Sequence, residues 1–224
     1  MHTDQLTRGI LRVGHGRGFV VELDDEQRVI ITAAHCWGPR LPYSHTADYQ
    51  ANRTRRLLGP LERKRGTVWA ELLFGDPIAD IAVLGEPDGQ AFHEQWKAYE
   101  QLLATMQPLT IADAPAETRT LKKFDWGTRP IDEPGTGPVR LLSLDGEWVE
   151  AQAERRKWCL WIAPAELLAP GMSGSPIVNP AGAAIGVVSS GSSSDSCLNP
   201  VVVDRLPAWL VRSVLAGQKR HRRR

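Results

Sequence analysis

Cysteine is scarce in this chain: Cys36, Cys159 and Cys197 are the whole set. An odd, sparse trio argues against a disulfide framework and reads as free thiols in a reducing compartment. The absence of any CxxC or HxxxH spacing argues against a metal site. Long apolar runs are also missing. No stretch approaches the roughly 20 apolar residues of a membrane span, and MHTDQLTRGILRVGHGRGF lacks the apolar core of a signal peptide. The expectation is a cytoplasmic protein without membrane contact. Net charge is nearly absent, with 27 basic against 26 acidic residues. Lys219, Arg220, Arg222, Arg223 and Arg224 concentrate five of the positive charges at the C-terminus, so the body keeps 22 basic (27 less five) against 26 acidic residues and is acidic. That tail has no aromatic interleaving and reads as a solvated end rather than a nucleic-acid surface.

What is present is a core-forming composition, 42% hydrophobic over 224 residues, enough for one large domain or two small ones. Most apolar runs are short and bounded by Gly, Pro or Asp, as strands are. GFVVEL (18–23) and VIITAA (29–34) flank the polar DDEQR as a hairpin would. TVWAELLF (67–74), IAVLG (81–85), VRLLSL (139–144), EWVEAQAE (147–154) and KWCLWIA (157–163) follow. SPIVN and AAIGVVS bracket NPAG, a turn with proline second and glycine last. The pattern is all-β, with more strands than one sandwich needs. Residues 40–66 and 112–138 read as surface loops.

Two segments break the strand pattern. Phe92, Trp96, Tyr99, Leu103 and Met106 recur every three or four positions, which predicts an amphipathic helix linking two strand-rich halves and packing its stripe on its own domain. RLPAWLVRSVLAG (205–217) reads as a C-terminal closing helix, with Pro207 in its first turn and Gly217 as its stop. The tryptophans of EWVEA and KWCLW read as packing residues.

Three short motifs carry chemistry jointly. TAAHC (32–36) puts His35 at the end of an apolar strand, DIAVL (80–84) puts Asp80 at the start of another, and PGMSGSP centres on Ser173. A serine hydroxyl is a poor nucleophile at neutral pH and needs a neighbouring base. An imidazole fills that role when a carboxylate holds its other nitrogen in the donor tautomer. The chain order His, Asp, Ser separates this set from the orders of subtilisin-like and α/β-hydrolase enzymes, and GMSGS is not GxSxG.

With these motifs the sequence resembles the trypsin-like (chymotrypsin-fold) serine proteases, in particular the bacterial, disulfide-free branch similar to HtrA-type protease domains. The resemblance covers residues 9–216. It implies two six-stranded antiparallel β-barrels with a connecting helix and a C-terminal helix. An N-terminal extension (1–8) would precede a first barrel with linker helix (9–107, carrying His35 and Asp80), then a second barrel with closing helix (108–217, carrying Ser173) and a basic tail (218–224).

The same resemblance implies site roles. His35, Asp80 and Ser173 would be catalytic, and the N–H groups of Gly171 and Ser173 would form the oxyanion hole, with Gly174 leaving room beside the nucleophile. Ser189 would hydrogen-bond the Asp80 carboxylate. Leu167, Ser189, Ser190, Gly191 and Val201 would line the substrate pocket; an apolar floor at Leu167 disfavours a charged guest and points to small or medium apolar residues before the scissile bond. The implied partners are a protein or peptide substrate and an activating protein, with no cofactor. Where vertebrate members have Asp before the nucleophile this chain has Met172, and no activation sequence is visible near the start, so the oxyanion turn would be held by packing or by a partner. Cys36 follows the histidine, and near GRGF there is no cysteine to pair with it. The alternatives are a protease fold kept as an interaction platform, or an enzyme silent until a partner binds.

Overall fold

The computed structural model describes residues 3–38, 41, 53–63, 66–112, 136–156, 159–189 and 199–221. Twelve strands dominate the described residues. β1 (Ile10–Val13), β2 (Gly16–Glu22), β3 (Arg28–Thr32), β4 (Thr54–Gly59), β5 (Val68–Asp76) and β6 (Ile81–Gly85) close into a barrel in the order β1-β2-β3-β6-β5-β4. β7 (Thr136–Leu142), β8 (Trp148–Arg156), β9 (Cys159–Ala163), β10 (Pro176–Val178), β11 (Ala184–Val187) and β12 (Asn199–Pro200) form a second six-stranded sheet, β11-β10-β7-β8-β9-β12. An antiparallel bridge between Gly186 and Val201 brings its two ends together. All strand pairs within the two sheets are antiparallel. This is a chymotrypsin-like double barrel, as expected.

Alternating strands fill each barrel with side chains. Phe19, Ile30, Ile31, Leu58, Ile81 and Leu84 are fully buried in the first, and Leu141, Leu160, Ile177 and Ile185 in the second. At about 25 cal/mol per Å² of apolar area removed from water, burial of this kind is the main favourable term for each barrel.

Among the described residues the strands are accompanied by the helices α1 (Thr3–Thr7), α2 (Ala34–Trp37), α3 (His93–Ala104), α4 (Val202–Arg205) and α5 (Ala208–His221). The stripe of α3 packs inward as the periodicity predicts. Tyr99 and Leu103 are buried, Phe92 stacks on Trp69 with ring centroids 6.4 Å apart, and the Tyr99 hydroxyl donates to the Arg28 carbonyl at 2.9 Å.

Several expectations change. Thr54–Gly59, inside the span read as loop, is β4: it pairs with β1 on one side and β5 on the other, and that pairing overrides its two arginines. The strand β7 likewise reaches back to Thr136, within the other span read as loop. Residues 3–7, within the span read as an N-terminal extension, are helical, and Leu6 is fully buried in the first core. The closing helix begins at Ala208 and passes through Gly217 to His221, so Gly217 is not its stop. A side chain at Gly217 would sit 2.7 Å from the Leu23 carbonyl oxygen, and the glycine lets the helix approach the barrel. Cys36 is a free, buried thiol. Cys159 is disulfide-bonded, with its partner outside the described residues. The expectation of free thiols throughout fails there, and with it the cysteine argument for a reducing compartment. Among the described residues no helix is long and apolar enough to cross a membrane.

Candidate active site

The register of β3 and β6 creates the first half of the site. Thr32 lies opposite Ala82, so the turn of helix after β3 and the residue before β6 are neighbours. His35, in α2, donates its backbone N–H to Asp80 Oδ1 at 2.9 Å, and its Nδ1 lies 2.7 Å from Asp80 Oδ2. Two contacts from one residue fix both the position and the rotation of the ring. Asp80 itself has φ 54°, in the left-handed region that few residues other than glycine adopt and that often marks functional positions.

The second barrel supplies the other partner of Asp80. The β10–β11 pairing continues past the strands, with Gly174 N–H donating to Val188 O at 2.6 Å and Val188 N–H to Ser175 O at 2.8 Å. Ser189 therefore emerges beside the turn, and its hydroxyl donates to Asp80 Oδ2. Its own N–H is held by Asn199 Oδ1 at 3.0 Å, and the Asn199 amide donates to Leu160 O.

These contacts set the protonation balance. Burial alone would raise the Asp80 carboxyl, but hydrogen bonds from the His35 ring, the Ser189 hydroxyl and the His35 N–H outweigh it and hold it below the usual carboxylate range. The hydrogen bond to Asp80, then the contact with Cys36, push His35 up to about 10 against the opposing effect of burial. The imidazole side chain stays 42% exposed, open to a substrate.

Ser173 sits on the turn before β10, with Gly171 at φ 100° and Gly174 at φ 84°. A Cβ on Gly174 would overlap the Arg17 carbonyl oxygen, so only glycine fits there. The amides of Met172, Gly174 and Ser175 are bonded to Ala169 O, Val188 O and Met172 O. Those of Gly171 and Ser173 have no acceptor among the described residues, as an anion site requires. Met172 is 1% exposed and packs in the second core, its sulfur accepting from Ala169 N–H. Two groups of the first barrel hold the Ser173 carbonyl: Arg17 N–H at 2.7 Å and the Cys36 thiol at 3.5 Å. Cys36 Sγ also lies 3.9 Å from His35 Nε2. Among the described residues no hydrogen bond joins that nitrogen to the Ser173 hydroxyl. Catalytic hydrogen bonds are often long without substrate and tighten when it binds.

The site lies on a fold of two six-stranded antiparallel barrels, the chymotrypsin-like architecture. No protein-family model matches the sequence and no curated protein does. Solved structures similar to it include the Rv3671c protease from M. tuberculosis in its active form, 18% identical, covering 96% of this chain and 83% of that one at a TM-score of 0.46. A human pathogenic astrovirus serine protease is 15% identical over 90% of this chain and 94% of its own, TM-score 0.46. Deg5 is 13% identical over 90% and 86%, TM-score 0.45.

Of the residues expected to line a pocket, Leu167 ends a short 3-10 helix (Ala165–Leu167) and packs, partly buried, on the second core. Val201 is fully buried in the same core. Ser190 and Gly191 lie outside the described residues. Sequence reasoning passed over Asn199 and Arg17. The first carries no motif, whereas the second was visible as the one charge in the run GRGFVV. Among the described residues no three His, Cys, Asp or Glu side chains gather as a metal site would need.

Proposed function

We propose that the chain is a serine endopeptidase. Ser173 Oγ attacks the scissile carbonyl carbon while its proton passes to His35 Nε2. The oxyanion is received by the N–H groups of Gly171 and Ser173. The imidazolium then protonates the leaving amine, and water repeats the sequence on the acyl-enzyme with His35 again as base. Asp80 stabilises the imidazolium, and Ser189 holds Asp80. What carries this reading is the bond between His35 Nδ1 and the Asp80 carboxylate, joined through Cys36 to a serine turn in which two amides have no acceptor among the described residues.

The substrate would be a protein or peptide. The apolar side chain of Leu167 supports a preference for small or medium apolar residues before the scissile bond, since burying a charged head there would have no partner. A fluorophosphonate probe tests the reading: stoichiometric labelling lost in Ser173→Ala is expected, and no labelling under any condition would leave an interaction platform. Labelling only with a second protein present would mark an enzyme that waits for an activator. Peptide-library profiling checks the preference, which a dominant selection of Arg, Lys, Asp or Glu would overturn.

A further inference from the structure

Arg17 places a guanidinium inside the molecule. It is the second residue of β2, a strand in which every residue but the last is buried, and is itself only 5% exposed. Removing such a cation from water costs several kcal/mol unless its protons find partners, and among the described residues no carboxylate pairs with it. Its partners are carbonyl oxygens of the other barrel. Nη1 donates to Leu142 O at 2.7 Å and Nη2 to Ser143 O at 2.9 Å, at the end of β7 and the start of the turn to β8. Burial, then the charge of Arg12, lowers its pKa from the arginine value, which identifies the cost without removing the charge.

The same residue touches the serine turn twice. Its N–H donates to the Ser173 carbonyl at 2.7 Å. Its own carbonyl, which accepts the Thr32 hydroxyl at 2.6 Å, is the surface against which Gly174 must remain a glycine. The guanidinium also holds the hairpin that lies beside the turn. The hairpin it grips carries Leu144, whose Cδ2 lies 3.5 Å from the place a Cβ on Gly171 would occupy. Met172 gives the turn no carboxylate by which to be tied, so its polar ties must come from elsewhere.

We infer that Arg17 is the positioning residue of the serine turn: its guanidinium fixes the β7–β8 hairpin beside Gly171 while its backbone fixes the Ser173 carbonyl, so that hydroxyl and both free amides keep one spacing. The inference rests on the endopeptidase reading for its kinetic consequence. Its structural consequence, an ordered turn, stands without it. Substitution leaves the Arg17 backbone bonds in place and removes only the grip on the hairpin, so side-chain variants isolate that part.

The test uses the full chain with Arg17→Met, which keeps volume, Arg17→Lys, and Arg17→Ala with and without added methylguanidinium. A misplacement near 1 Å costs on the order of a hundredfold in rate, so Arg17→Met should lower kcat by about that factor with KM nearly unchanged. Arg17→Lys should recover little, because one ammonium does not span two carbonyls as the fork does. Methylguanidinium should restore Arg17→Ala by about tenfold or more, a rescue that general loss of stability does not show. Labelling of Arg17→Met at the wild-type rate, or a loss that follows the melting temperature and ignores methylguanidinium, overturns the inference. If the wild type itself fails to label, the endopeptidase reading falls separately. Hydrogen exchange then decides: faster exchange at the bonded amides of Met172, Gly174 and Ser175 in Arg17→Met supports the positioning role, and equal protection overturns it.

Discussion

Ser189 of the second barrel donates its hydroxyl to Asp80 of the first, so the carboxylate that orients His35 is held from both sides of the cleft. Asp80 is held below its ordinary pKa, and a depressed carboxyl contributes stability above its unfolded value of 3.8 that is lost as pH falls through the folded value. Ser189→Ala removes one of the lowering contacts. Its acid-unfolding midpoint, followed by tryptophan fluorescence, is expected at higher pH than that of the wild type. An unchanged midpoint would show that the Ser189 bond adds nothing.

His35 is shifted the opposite way, up to about 10. A raised imidazole stabilises the fold fully below 6.5, and that contribution disappears as pH rises through about 10. Base catalysis needs the neutral ring, so kcat/KM should rise along a limb displaced to the alkaline side of 6.5. Because the contact with Cys36 is the second cause of the shift, Cys36→Ala should move this limb to lower pH. Rates measured from pH 6 to 10 decide it, and a limb that stays in place would remove Cys36 from the site's proton balance.

The glycines on either side of Ser173 should fail differently. Gly174→Ala forces a Cβ onto the Arg17 carbonyl oxygen and is expected to cost about 3 kcal/mol or more, read as a large fall in melting temperature. At Gly171 a Cβ meets, among the described residues, only Leu144, at 3.5 Å, so Gly171→Ala should fold. Its φ of 100° is nonetheless strained for alanine, and relaxation would turn the N–H away from the cleft. A loss of about a hundredfold in kcat is expected, measured with the same peptide substrate.

Ser175 is fully buried and its hydroxyl has no hydrogen-bond partner among the described residues. Deleting an orphaned buried hydroxyl relieves a desolvation cost, so Ser175→Ala should raise stability by about 1 kcal/mol. Urea unfolding would show this as a higher midpoint at unchanged slope, and a lower midpoint would contradict it.

How far the chain could be read in advance depended on whether the information was local. IAVLG was legible as a strand, and β6 has those bounds, because a continuous apolar run ended by Gly and Asp has few other uses. The stripe of α3 was legible for the same reason. TRRLLG was not, since nothing local favours a strand there and two neighbouring strands supply the pairing. The helix beyond Gly217 was missed because the glycine answers to the Leu23 carbonyl, far off in the chain.

The amino-acid order alone determined the alternation that makes two sets of strands, the conformational freedom of the serine turn, and the identity of an imidazole, a carboxylate and a hydroxyl in one order along the chain. Those are properties of neighbours and of residue types. Only the tertiary structure decided that Thr32 faces Ala82 and so sets His35 on Asp80, that Met172 anchors the turn by burial, and that the charge of Arg17 is spent on carbonyls of the opposite barrel. Register and contacts between barrels are set by total packing, and no local window of the chain contains them.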